Sequence, residues 1–173
     1  ALAVLMAAGE KALGLYANEE AARHYMAALA IVRRQPNAAG LARFDETHLP
    51  LLLERLGEAL HRIGAHGPAV ARWNEALCEW ERTGDIVAAS RLRGKLALAE
   101  WDQGRFDIAG KHLSAGLAVM VGQEPCQELA DLLFARLSIV SRLRDVAGLA
   151  DTATQFLSLA VRLVSPRVEA EAN

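Results

Sequence analysis

Large aromatic side chains are scarce in this sequence: tryptophan, tyrosine and phenylalanine make up 5% of the 173 residues, although 53% are hydrophobic. The apolar mass is therefore mostly Ala, Leu and Val, which suits close helix packing better than a β-sandwich. Strand signals are missing too, with no sustained alternation of β-branched residues and no Asn-Gly or Asp-Gly hairpin turn. Charge of one sign is also lacking. The formal net charge is −2, with acids and bases interspersed, so the basic footprint of a nucleic-acid binder is absent and no contact with DNA or RNA is expected.

Cysteine is rare as well. Cys78 and Cys126 stand far apart without Cys-x-x-Cys spacing, which fits a reduced, cytoplasmic setting; a disulfide between repeats is the open alternative. The helical pattern puts Cys78 on an inward face. No apolar run reaches the ~18 residues needed to cross a bilayer, and the opening ALAVLMAAGE has no basic residues ahead of its apolar ones, so neither a membrane span nor a signal peptide is read. The sequence starts inside a helical pattern without methionine, from which we expect a segment of a longer protein.

What is present is helical periodicity. Apolar residues recur every three or four positions from Leu2 to Tyr16. Asn18 is placed to cap a second helix that runs to Arg34, with Glu19 and Glu20 in its first turn. After a connector at 35–47, Pro50 marks the first turn of a third helix. The stretch Leu53 to Glu81 then reads as two amphipathic helices around Gly64-Ala65-His66-Gly67-Pro68, closing at Gly84, a left-handed C-cap, and Asp85, an N-cap. Further helices are expected over 86–103, from Asp107 to Val121 with Gly122 and Pro125 beyond, over 127–144, and, after a turn at Gly148, over 149–164 with Ser165-Pro166 as the stop.

These eight helices pair, and the pairs share columns. Superposing the second helices aligns Ala21, Ala69, Ala109 and Ala153, then Tyr25, Trp73, Leu113 and Leu157, then Ala28, Ala76, Gly116 and Ala160. In the first helices Gly9, Gly57, Ala97 and Ser141 coincide, with turns at Tyr16, Gly64, Gly104 and Gly148. Small residues let helix axes approach closely while the large one fills the groove between them. Trp73, Tyr25, Met26, Phe134 and Phe156 are therefore expected in the core.

Leu56-Gly57 in a first helix and Ala69, Trp73 and Ala76 in a second resemble the tetratricopeptide repeat family. Departures are Ala12, Leu60, Glu100 and Arg144 at the family's helix A tyrosine, and alanine steps of 48, 40 and 44 residues in place of ~34. The longer units are similar to the variant repeats of bacterial ATP-dependent regulators, the MalT-like and LuxR-type transcription regulators and adenylate-cyclase-associated ATPases. The resemblance implies one domain over 1–173, an all-α, right-handed superhelical solenoid of about four antiparallel helix pairs, with repeats at roughly 2–35, 50–83, 90–123 and 134–166. It implies a non-enzymatic scaffold or regulatory segment that binds a protein or peptide, other domains of the same protein included, with a small-molecule sensor or a homo-oligomeric self-association module as alternatives.

By the same resemblance, first helices line the concave surface, so Glu54, Glu58, His61 and Arg62, with Arg91, Trp101, Asp102 and Arg142, become candidate partner or ligand contacts. Glu58 and His61 also form a Glu-x-x-His, the spacing of di-iron bundles, but no second copy or further pair of inward glutamates accompanies it, and no metal is read. His24, His48, His66 and His112 have no partners at ligand spacing. No cofactor is implied either: Gly94-Lys95 and Gly110-Lys111 lie in helices and lack the Ser or Thr that follows Lys in a phosphate loop. No Gly-x-Ser-x-Gly occurs, and no enzyme is expected.

Overall fold

The computed structural model describes residues 1–34, 48–120, 124 and 126–171, with side chains as far as 163. Among these residues stand eight helices and no strand, so the fold is all-α. They are α1 (Leu2–Gly14), α2 (Asn18–Arg34), α3 (His48–Arg62), α4 (His66–Thr83), α5 (Ile86–Asp102), α6 (Phe106–Met120), α7 (Gln127–Arg142) and α8 (Val146–Glu171). The expected connector at 35–47 and the breakers Gly122 and Pro125 lie outside the described residues. None of the described helices is long and apolar enough to cross a membrane.

Two compact units divide the chain after Asp85. In the first, α1 packs on α2 and α3 on α4, with α2 against α3; in the second, α5 packs on α6 and α7 on α8, with α7 also against α5 and α6.

Every hairpin turns in the same way. Tyr16, Gly64, Gly104 and Arg144 all have positive φ, at 60, 80, 76 and 56°. Each donates its N–H to the carbonyl three residues back, and the next residue donates to the carbonyl five back, as in Gly64 to His61 and Ala65 to Leu60, or Arg144 to Ser141 and Asp145 to Val140. This left-handed closure satisfies the last carbonyls of one helix. The residue that completes it also starts the next helix, since the carbonyls of Ala17, Ala65, Arg105 and Asp145 accept from Ala21, Ala69, Ala109 and Leu149. Gly84, with φ 77°, closes α4 by the same pair of bonds.

Anchored on those turns, the columns describe the packing. Small residues of the first helices meet large ones of the second: a Cβ on Gly9 would lie 2.6 Å from the Tyr25 ring, and one on Gly57 would fall inside the Trp73 indole. In the third pair the same positions hold Ala97 and Leu113, both in one buried cluster. The fourth pair inverts the sizes, with Leu137 and Ala153 at those positions. Volume is shared between two sites while its division changes.

That register corrects the expected fourth pair. Its turn residue is Arg144 and not Gly148, so the turns are 48, 40 and 40 residues apart, and the family-tyrosine position falls at Val140. Gly148 stands in the first turn of α8, where its N–H donates to Asp145 Oδ1 at 3.0 Å. Asp145 is the N-cap, and a Cβ at 148 would strike its carboxylate. Four positions of slip carry Leu157 and Ser141 to the surface and replace Ala160 by Phe156 in the packing column.

Other expectations change for local reasons. Ala17, not Asn18, occupies the cap of α2, and Asn18 Oδ1 has no hydrogen-bond partner. Gly67 and Pro68 belong to the first turn of α4, where a missing N–H costs nothing. Ser165-Pro166 does not stop α8, which runs on to Glu171; proline forfeits one N–H bond that the neighbouring turns can carry. Met26 and Phe134 are exposed and Phe156 is half-buried, because Tyr25 with Ala28 and Leu133 with Ala135 take the inward directions of their helices. Cys78 is exposed for the same reason, since Trp73, Ala76, Leu77 and Trp80 fill the buried face of α4. Both cysteines are free.

Candidate functional site

In the first unit a line of charges joins the two first helices. Arg55 Nε of α3 stands 3.0 Å from Glu10 Oε1 of α1, and Arg55 Nη1 is 3.5 Å from Glu58 Oε2. Arg62 Nη2 donates to Glu58 Oε1 at 2.5 Å. Glu10 and Glu58 occupy the same position of successive repeats, six residues before Tyr16 and Gly64. That equivalence is the signal by which Glu10 and Arg55, absent from the expected set, are readable in the sequence.

Of the expected residues, Glu58 and Arg62 meet on this face, while Glu54 is buried and His61 packs against aromatic rings. Glu54 is 2% exposed. α3 is covered by both α2 and α4, so its buried arc is wider than one stripe and takes in position 54. The Glu54 carbonyl accepts the Trp73 Nε1 hydrogen at 3.1 Å. His61 turns onto the end of the pair, its ring 5.2 Å from Trp73 and 5.0 Å from His66. Both residues serve the packing of the central pair.

The second unit repeats the arrangement between α5 and α7. Arg142 Nη1 donates to Asp102 Oδ1 at 2.6 Å. These residues share one column with Arg62, two positions before the turn residue. Trp101 beside them is half-buried against the unit's core, with its ring 4.4 Å from Phe106. Arg91, also half-buried, lies about 15 Å away along the α5 axis and is separate from the cluster. Sequence reasoning missed Glu100, a buried carboxylate paired with Arg105 Nε; the Glu100 carbonyl also accepts the Arg105 N–H. Side chain and backbone together clamp the α5–α6 turn.

A groove of about 670 Å³ opens among α6, α7 and α8. Leu117, Leu129, Leu133 and Leu159 form apolar walls, and Arg136 and Arg162 stand at its edge. Arg136 Nη2 lies 3.5 Å from Asp151 Oδ2.

Among the described residues no three His, Cys, Asp or Glu side chains are grouped to hold an ion. Compared with known proteins, the sequence matches no family model and no curated protein.

Proposed function

We propose that this chain is a non-enzymatic helical-repeat module of the tetratricopeptide type, which holds a protein or peptide segment against the face formed by the two first helices within a unit. The observation that carries this reading is the pairing of charges across successive first helices, Glu10 with Arg55 and Asp102 with Arg142. Exposed ion pairs contribute ~0–1 kcal/mol, so a partner's carboxylate can take over an arginine at little cost. Half-buried Trp101 beside Asp102 supplies the apolar anchor such a contact needs. Glu10, Glu58 and Asp102 are each matched to an arginine, an arrangement suited to exchange of partners. In the longer-repeat bacterial signalling and transcription regulators that the sequence resembles, a cytoplasmic module of this kind would pass partner engagement to an output domain.

Selection of peptides from a random displayed library, followed by titration calorimetry, tests the proposal. Arg62→Glu should weaken a peptide held on the first unit, and Arg142→Glu one held on the second, at least ~10-fold. Peptides whose affinity neither substitution changes would refute the assignment of the face.

The 670 Å³ groove favours a second reading, a sensor for a small molecule with an apolar body and an anionic group. A ligand present at a hundred times its Kd should add ~2.7 kcal/mol to unfolding stability. A metabolite screen by thermal shift that yields stabilisers insensitive to Arg136→Ala and Arg162→Ala excludes this groove as their site.

A further inference from the structure

The two units carry the same groove, strapped in one and open in the other. Each groove runs between the second helices of its pairs, α2 and α4 or α6 and α8, over the first helix that lies beneath them. Counted from the turn residues, Leu29, Leu49 and Leu53 of the first unit correspond to Leu117, Leu129 and Leu133 of the second, so the apolar floors match. The groove is no end face of the chain, because its first copy lies among α2, α3 and α4 and the chain runs on past α4.

Their rims differ. In the first unit Arg33 Nη2 of α2 donates to Glu75 Oε2 of α4 at 2.8 Å, a strap across a groove of about 430 Å³. At the matching places of the second unit the sequence has Gln155 for Glu75 and, outside the described residues, Val121 for Arg33. No such ion pair can form there, and the volume is about 670 Å³. Glu79 likewise gives way to Leu159, which adds to the apolar lining. At one end of this groove Arg136 and Gln155 are both engaged with Asp151 Oδ2, at 3.5 and 2.9 Å. Arg162, two turns along α8 from Gln155, has no acidic partner among the described residues.

We propose that the open groove binds a straight-chain carboxylic acid, its alkyl chain along the leucines and its carboxylate on Arg162. The proposal rests on the sensor reading above and names its ligand class. A floor without an aromatic side chain suits an alkyl chain and offers no plane on which a ring could stack. One arginine without an ion pair matches one negative charge, and Glu124 on the same rim disfavours the second charge of a phosphate monoester. Residues 114–120 of α6 and 155–162 of α8 give a length of ~10 Å, that of a medium-length chain. In the first unit Glu75 already holds the place of such a carboxylate, against Arg33 and Arg72.

Titration calorimetry of the whole chain with hexanoate, octanoate, decanoate and dodecanoate, each below its micellar concentration, tests this. One site per chain is expected, with affinity rising ~2–4-fold per methylene and levelling once the chain outruns the groove. Arg162→Glu should weaken decanoate at least ~10-fold and turn the preference to decylamine. Ala118→Trp, at an exposed position lining the groove, should abolish binding of both while the circular dichroism stays that of the parent. Decanoate binding that either substitution leaves unchanged overturns the proposal, as does affinity that climbs at one rate through dodecanoate. Absence of any alkanoate binding overturns it too, and metabolites that stabilise the parent but not Ala118→Trp would then leave the sensor reading standing.

Discussion

Gly57 and Trp73 are complementary to within an atom: the indole crosses α3 where position 57 has no side chain, and its Nε1 donates to the Glu54 carbonyl one turn earlier. Gly57→Ala should therefore destabilise the chain by ~1–3 kcal/mol through overpacking, and Trp73→Leu by ~3 kcal/mol through the cavity it leaves. The third pair holds Ala97 and Leu113 at these positions and buries both. The double variant, which copies that solution, should cost less than the sum of its parts by at least ~1 kcal/mol. Urea unfolding of the four proteins measures the cycle, and additive costs would mean that the two sites do not share space.

The turn residues give a second test. Arg144 adopts φ 56° where Gly64 and Gly104 adopt 80 and 76°. A left-handed conformation costs a residue with a Cβ roughly 1–2 kcal/mol, and the Arg144 side chain is exposed, so little packing is lost on removing it. Arg144→Gly should stabilise by ~1 kcal/mol after the added freedom of the unfolded chain is counted, and Gly104→Ala should destabilise by about as much. In thermal melts these changes correspond to ~2–4 °C in opposite directions. A fall in Tm for Arg144→Gly would place the strain elsewhere.

Arg144 also explains why the fourth turn stands four residues before Gly148, where the sequence signals place it. Two of the four turns, Gly64 and Gly104, carry the glycine expected of a left-handed closure, and Tyr16 and Arg144 do not. At the fourth, the only nearby glycine is Gly148, held for a different purpose by the Asp145 cap. The clue was the spacing, since Gly64 to Gly104 predicts the next turn at 144 and not 148. Most other helix ends are legible because capping and periodicity are local, the exceptions being the Asn18 cap and the Ser165-Pro166 stop. The burial of Glu54 is not legible, because it depends on α2 and α4 enclosing α3 from two sides. Likewise His61 follows the Trp73 ring, whose path is set by the glycine opposite, and no spacing within α3 reveals that.

Tyr25 gives the pH dependence. It is fully buried on α2, and burial first, then the nearby Glu10 carboxylate, push its phenol well above the usual value of 10.0. Above about pH 10 the unfolded chain releases a proton that the folded chain keeps, so the stability linked to this group is complete below that pH and declines as pH rises. The slope is at most ~1.4 kcal/mol per pH unit for one proton. Tyr25→Phe keeps the ring that fills the space opposite Gly9 and should leave stability at neutral pH within ~1 kcal/mol. Between pH 10 and 11.5 the variant should lose less stability than the parent, by up to ~1 kcal/mol per pH unit. Denaturant unfolding at fixed pH values across that range measures the difference. Parallel declines in the two proteins would leave Tyr25 without a part in the alkaline loss.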